Sequence, residues 1–202
     1  EFAAITVSVS VVSPLLCWGK GFEIQRSSLS SASKEEVGSM KGYQIRVAVP
    51  SDGERIAEMA AALSAHEGEP PPPFDAAAFR RFGFGAERRF EALIAEATGP
   101  LGLGDVIGYA LFCDMFHVGL GTPGLHMLDL FVEPRCRLFG IGKGFVAALA
   151  RLCQGRDGTW MTWQCLPSNV AAMSFYDRIK GRRFNAANFE LAGAALAKIA
   201  EK

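Results

Sequence analysis

The chain has 202 residues, of which 50% are hydrophobic and 21% are charged, and its basic and acidic side chains balance to a formal net charge of zero. This length predicts one domain with a full core, and the charge balance argues against a protein that binds nucleic acid through overall positive charge. The five cysteines include no CxxC pair. That pattern favours a reducing, cytoplasmic location over a secreted disulfide scaffold.

The first 39 residues differ from the rest of the chain. They hold the apolar stretch FAAITVSVSVV but no basic residue before Lys20, so they lack the basic start of a signal peptide. Their serines and Pro14 leave too few apolar residues for a membrane span, which needs about 20. Met40 resembles a natural start. We therefore expect 1–39 to be a poorly ordered or foreign extension and 40–202 to be the folded domain.

After Met40, strand-like and helix-like segments alternate. Alternating apolar residues predict strands, at 43–49, 106–116, 125–132, 159–165 and 188–192. Helical spacing or composition predicts helices, at 53–67, 75–82, 145–155, 169–179 and the Ala-rich C-terminus. The segment 87–97 has helical composition but alternating apolar positions, so its structure stays open. The order predicts an α/β (α+β) fold with a mixed sheet and helices on both faces.

The glycine-rich segment RCRLFGIGKG (135–144) lies between a predicted strand and a predicted helix. A Walker loop would need Ser or Thr where Gly144 stands, and a dinucleotide fingerprint would need Gly where Phe145 stands. What remains is Arg137-x-x-Gly140-x-Gly142. Its backbone N–H groups and the following helix could hold a pyrophosphate. The alternative is an ordinary glycine-rich turn before a helix.

A second motif, NVAAMSFYDRIKGRRF, follows at 169–184. The two motifs, with the strand TWMTWQC between them, resemble the GNAT superfamily of N-acetyltransferases from Tyr43 to Leu191, most closely the diamine acetyltransferase-like branch. The resemblance implies a GNAT fold with a mixed, mostly antiparallel sheet of six to seven strands. It also implies a strand at 90–97 and a splay between strands 4 and 5.

The resemblance implies an acetyl-CoA-dependent enzyme that acetylates a primary amine, through a tetrahedral intermediate and without a metal. The acceptor would be a small amine, a polyamine or an amino acid-like molecule. A protein N-terminal or lysine acetyltransferase and a non-catalytic acyl-CoA-binding module are the alternatives. We expect a homodimer that binds neither nucleic acid nor membrane.

The resemblance also assigns roles to residues. Backbone groups of Leu130 and Val132 would pair with pantetheine, and the Val132 N–H would stabilise the oxyanion. Tyr176 would be the general acid, and Asn169 would bind the cofactor or orient its helix. The remaining cofactor-binding residues are in and beside the glycine-rich segment: Arg137, Leu138, Phe139, Gly140, Ile141, Gly142 and Lys143.

The general base is the least determined role. Leu128 occupies the position where the diamine branch commonly has Glu, and strand alternation predicts that Asp129 points to the opposite face. We expect Glu67, Leu128 and Asp129 to shape the acceptor site, with Asp129 as the catalytic candidate. Glu67, Glu133, His126 and a water chain are other candidates for the base.

Overall fold

The computed structural model describes residues 42–99 and 101–201, which divide into two units between Gln164 and Cys165. The predicted extension 1–39 lies outside the described residues. The first unit contains one sheet whose spatial order follows the chain. Its strands are β1 (Tyr43–Val47), β2 (Glu91–Ala97), β3 (Val106–His117), β4 (Thr122–Val132) and β5 (Trp160–Trp163).

The sheet is mixed and mostly antiparallel, as predicted. Strands β1 to β4 pair antiparallel, and β5 pairs parallel to β4. The resemblance was correct about β2, although its sequence EALIAEA has helical propensity. Because β2 lies between β1 and β3 and most of its side chains are buried, tertiary packing decides its structure.

Three helices complete the first unit: α1 (Gly53–Glu67), α2 (Ala76–Gly83) and α3 (Ile141–Gln154). Helices α1 and α2 share one apolar cluster with the sheet, in which Ile56 and Phe79 pack with Tyr109. The neighbouring Gly108 faces the other way, since a Cβ added to it would lie 3.3 Å from the Phe145 ring of α3. The helices therefore cover both faces of the sheet, as predicted.

The second unit contains α4 (Val170–Arg178) and α5 (Gly193–Ala200), and neither helix has a buried residue. The predicted strand at 188–192 is wrong, because 181–192 contains no helix or strand. The described sheet thus has five strands rather than six to seven. The alternation of Phe189 and Leu191 is too short to specify a strand, and a strand also needs a neighbour that accepts its hydrogen bonds.

Strands β4 and β5 separate before β4 ends. Their ladder runs from the Gly124–Trp160 pair to the Met127–Trp163 pair, whereas β4 continues to Val132. Residues 128–132 therefore have no strand partner on the β5 side among the described residues. This end of the pairing lies where the family resemblance implies a splay between strands 4 and 5. None of the described helices is long and apolar enough to cross a membrane.

We predict that Gly124→Ala destabilises the β4–β5 ladder. A Cβ at this position would lie 2.3 Å from the Trp160 ring and 2.6 Å from the Trp160 carbonyl oxygen. Overpacking of this kind costs about 1–3 kcal/mol, which denaturant unfolding would measure. Gly99→Ala is the matched control, since its nearest neighbouring atom is 3.9 Å away. Equal stabilities of the two variants would contradict the prediction.

Candidate functional site

The splayed half of β4 has backbone groups that point away from β3. The Glu133 N–H donates to the Ile107 oxygen at 2.9 Å, one position beyond the Gly108–Val132 pair. Gly108 and Val132 are therefore a pair that does not exchange hydrogen bonds, and alternation gives Leu130 the same orientation. The N–H and C=O groups of Leu130 and Val132 thus point to the side that β5 has left. The predicted pairing with an extended ligand would use groups on this side and stays a prediction.

The predicted phosphate loop leads into α3 with two residues in the left-handed region. Gly140 is the N-cap of α3 at φ 84°, and Leu138 has φ 71° with a fully exposed side chain. No side chain caps the first turn of α3. Its N–H groups, at the positive end of the helix dipole, can therefore accept an anion. This donor set has the chemistry that a pyrophosphate needs, and the predicted role of residues 138–143 stays a prediction.

The basic residues of the loop are only partly available to a phosphate. Arg135 pairs with Asp105 at 3.2 Å and with Glu133 at 3.3 Å. Arg137, the signature residue, donates from Nε to the Val132 oxygen at 3.1 Å and so ties the loop to the end of β4. Lys143 forms no ion pair within the described chain. The backbone N–H groups and Lys143 are therefore more available to an anion than Arg135 and Arg137.

Gly144 has a packing role rather than a phosphate role. A Cβ added to it would lie 2.6 Å from the Tyr43 hydroxyl and 3.1 Å from the Ile45 side chain. The third glycine of the loop segment thus allows α3 to approach β1 closely. A larger residue at position 144 would therefore clash with β1.

A bulge in β4 places Asp129 beside Tyr109. Leu111 pairs with Asp129 but the next residue, Phe112, pairs with Met127, so Leu128 is an extra residue in β4. Simple alternation therefore fails at this point, and with it the reasoning used to orient Asp129. The Tyr109 hydroxyl donates to Asp129 Oδ2 at 3.2 Å. Asp129 thus lies on the face of the sheet that α1 and α2 cover.

The acidic face also includes Glu67, at the C-terminal end of α1. Burial raises the pKa of Asp129, and the Tyr109 hydrogen bond opposes that rise only partly. Burial, followed by the Asp129 charge, raises the pKa of Glu67, while His66 opposes it. Burial and both carboxylates raise the pKa of Tyr109 well above its usual value, so its phenol stays protonated. Glu67 and Asp129 are thus coupled carboxyls that favour a proton or a cation nearby.

Two other base candidates are placed differently. Both carboxylate oxygens of Glu133 are bound by arginines, Arg55 and Arg135. His126 is buried, burial lowers its pKa, and its Nδ1 has no hydrogen-bond partner in the described part of the chain. Glu133 is therefore a partner in ion pairs, and the buried His126 imidazole is neutral.

Asn169 and Tyr176 lie in the second unit. Asn169 is the N-cap of α4, and its side chain accepts a hydrogen bond from the Ala172 N–H at 3.1 Å. Asn169 therefore stabilises the start of α4. The Tyr176 ring lies 5.1 Å from the Phe175 ring. The roles of both residues toward the cofactor stay predictions.

Sequence reasoning missed Tyr109. The signal available was a single hydroxyl in the apolar strand VIGYALF, because a buried tyrosine normally finds a hydrogen-bond partner. Identifying that partner required the β3–β4 register. The described residues contain no group of three or more His, Cys, Asp or Glu arranged to hold a metal ion.

Comparisons with known proteins agree with this architecture. Residues 57–181 match the model of the acetyltransferase (GNAT) family. An integron cassette protein from Vibrio cholerae is 19% identical, with a TM-score of 0.66 over 79% of this chain and 98% of that one. A search of curated protein sequences gives no significant match.

Two further solved structures are named as acetyltransferases. A ribosomal-protein-alanine N-acetyltransferase from Brucella melitensis is 18% identical, with a TM-score of 0.58 over 75% of this chain and 99% of that one. An aminoglycoside acetyltransferase from an uncultured soil sample is 18% identical, with a TM-score of 0.56 over 75% and 99%. At these identities the likeness shows the fold alone.

We predict that Asp129→Asn changes how stability depends on pH. Because the folded state raises the Asp129 pKa, its contribution to stability is complete below the unfolded pKa of about 4 and is lost as pH rises through the folded pKa. Asn cannot titrate, and its introduction also removes the charge that raises the Glu67 pKa. The variant should therefore gain stability relative to the wild type as pH rises from about 4 to 7.

Urea unfolding of both proteins across that pH range measures the difference. Tyr109→Phe is the companion variant: without the hydroxyl that lowers the Asp129 pKa, the loss of stability should move to higher pH. Parallel pH profiles for the wild type and Asp129→Asn would contradict the assignment.

Proposed function

The chain belongs to the acetyltransferase (GNAT) family and is an acyltransferase, and we propose that it transfers the acetyl group of acetyl-CoA to the primary amine of a small molecule by direct attack. One observation carries the proposal. Among the described residues, the end of β4 pairs with no strand on the β5 side and leads to the N-terminus of α3, which no side chain caps. Asp129 lies on the same strand, and its charge reaches Glu67 at the end of α1. A donor groove and an acidic acceptor face thus share β4.

On the donor side, the proposed contacts are made by backbone groups. Leu130 and Val132 would hold the pantetheine arm, and the amides of 138–143 would hold the pyrophosphate. When bound, acetyl-CoA supplies an activated thioester. The Val132 N–H would donate to the acetyl carbonyl oxygen as negative charge develops there, which preorganised donors stabilise strongly.

On the acceptor side, the attacking amine must lose a proton before it can act as a nucleophile. Asp129 is proposed as the group that receives this proton, because its raised pKa makes it a stronger base than an exposed carboxylate. The protonated Tyr109 would keep the Asp129 side chain in place through its hydrogen bond. Tyr176 is proposed to protonate the leaving thiolate.

The acceptor class follows from the charge of this face. The Asp129 charge makes ionisation of Glu67 less favourable, and a cationic acceptor would relieve this. A small molecule with a second ammonium group suits such a face. The named aminoglycoside and ribosomal-protein-alanine acetyltransferases share only the fold with this chain. They lend no support to a diamine acetyltransferase-like branch, and Leu128 in place of Glu argues against it. Homodimer formation and a cytoplasmic location stay predictions.

The proposal is tested by release of free thiol from acetyl-CoA. The acceptor panel should contain diamines, an aminoglycoside, amino acids and a peptide with an N-terminal alanine. We expect thiol release with a small cationic amine. Release only with the peptide would indicate a protein N-terminal acetyltransferase instead. Calorimetric CoA binding without any thiol release would indicate the non-catalytic module.

We predict that Tyr176→Phe retains normal affinity for CoA but lowers turnover by about 10²–10⁴-fold, the usual effect of losing a general acid. Asp177→Asn is the matched control, because it alters the next residue of α4, whose carboxylate pairs with Arg183, and leaves the phenol intact. Thiol-release kinetics and CoA calorimetry measure both effects. An unchanged rate for Tyr176→Phe would remove this residue from the chemistry.

A further inference from the structure

Glu133 lies at the junction of β4 and the loop 137–140. Its N–H donates to the Ile107 oxygen at 2.9 Å, which closes the β3–β4 ladder. Its own carbonyl oxygen accepts from the Cys136 N–H at 2.8 Å and so begins the 3₁₀ turn Pro134–Cys136. A shift of Glu133 would therefore move the end of β4 and the loop together.

The Glu133 side chain connects this junction to α1. One carboxylate oxygen is bound by Arg55 of α1, and the other accepts from Arg135 Nε at 3.3 Å. Arg55 Nε also donates to the Val106 oxygen at 3.1 Å, at the start of β3. The carboxylate is only 20% exposed, so water screens this pair less than an exposed surface pair. Arg55 thus fastens the start of α1 to both neighbouring strands.

The same helix carries Glu67 near its other end, about 18 Å away at 1.5 Å per residue. A packed helix transmits a shift at one end to the other, because its backbone is hydrogen-bonded throughout. We infer that the Arg55–Glu133 pair is a positioning device that couples the cofactor loop to the acceptor side of the site. The inference rests on the proposed function and extends it: donor binding at the loop should raise the affinity for the amine.

The test compares two isosteric changes to the partners of Arg55. Glu133→Gln removes the charge at the loop junction, whereas Glu58→Gln removes the exposed partner of Arg55 within α1. We expect Glu133→Gln to weaken CoA binding and to raise the KM for the amine at saturating acetyl-CoA, each by about 5- to 100-fold, the usual range of coupling between sites. The kcat should stay within about twofold, because no reacting group is changed. Glu58→Gln should leave all three values unchanged.

Arg55→Lys adds a check on geometry. Lysine keeps the charge but has one ammonium group, so it cannot bind Val106 and Glu133 in the same fork arrangement. Its CoA affinity should therefore lie between those of the wild type and Glu133→Gln. The inference is overturned if the wild type binds CoA but Glu133→Gln matches Glu58→Gln in Kd and KM, even with a lowered Tm. If the wild type binds no CoA, the proposed function fails as well.

Discussion

Strand β4 pairs with β3 on one side and with β5 on the other, and these two ladders end at different residues of β4. Its antiparallel ladder with β3 continues to Val132, whereas its parallel ladder with β5 ends at Met127. Backbone N–H and C=O groups need partners wherever they are removed from water. The part of β4 beyond Met127 therefore has polar backbone groups on one side that the described sheet does not satisfy. The proposed donor groove depends on this separation, and Arg137 is anchored to the same end of β4.

The bulge at Leu128 affects how the absence of a glutamate at position 128 is interpreted. Leu128 removes a carboxylate from the position where the resembled branch commonly has one. The extra residue, however, moves Asp129 onto the face of Leu111 and Tyr109. This face of the sheet therefore carries a carboxylate even though residue 128 is leucine. Assigning a residue the role of the aligned residue in a relative is therefore unreliable where the strand contains a bulge.

Sequence reasoning succeeded where a local pattern determines the structure. Four of the five strands and the loop before α3 follow from alternation and glycine placement, whereas β2, with its helical composition, was assigned only from the family resemblance. It failed for 188–192, where a short alternating pattern carries no information about a pairing partner. It also missed Tyr109, because the contact with Asp129 joins residues 20 positions apart through a shifted register. Charge coupling between Glu67 and Asp129 likewise depends on packing that no local pattern encodes.

The separation of β4 from β5 also has a consequence for solubility. A strand side without a partner is a template on which a second chain can add a strand, and proteins usually protect such edges. Here the protection cannot be a permanent strand, since that would fill the place proposed for the pantetheine arm. A ligand that forms hydrogen bonds with Leu130 and Val132 would occupy the edge as a strand does. The bound acetyl donor would then cover this side of β4 reversibly and would prevent it from pairing with strands of other protein molecules.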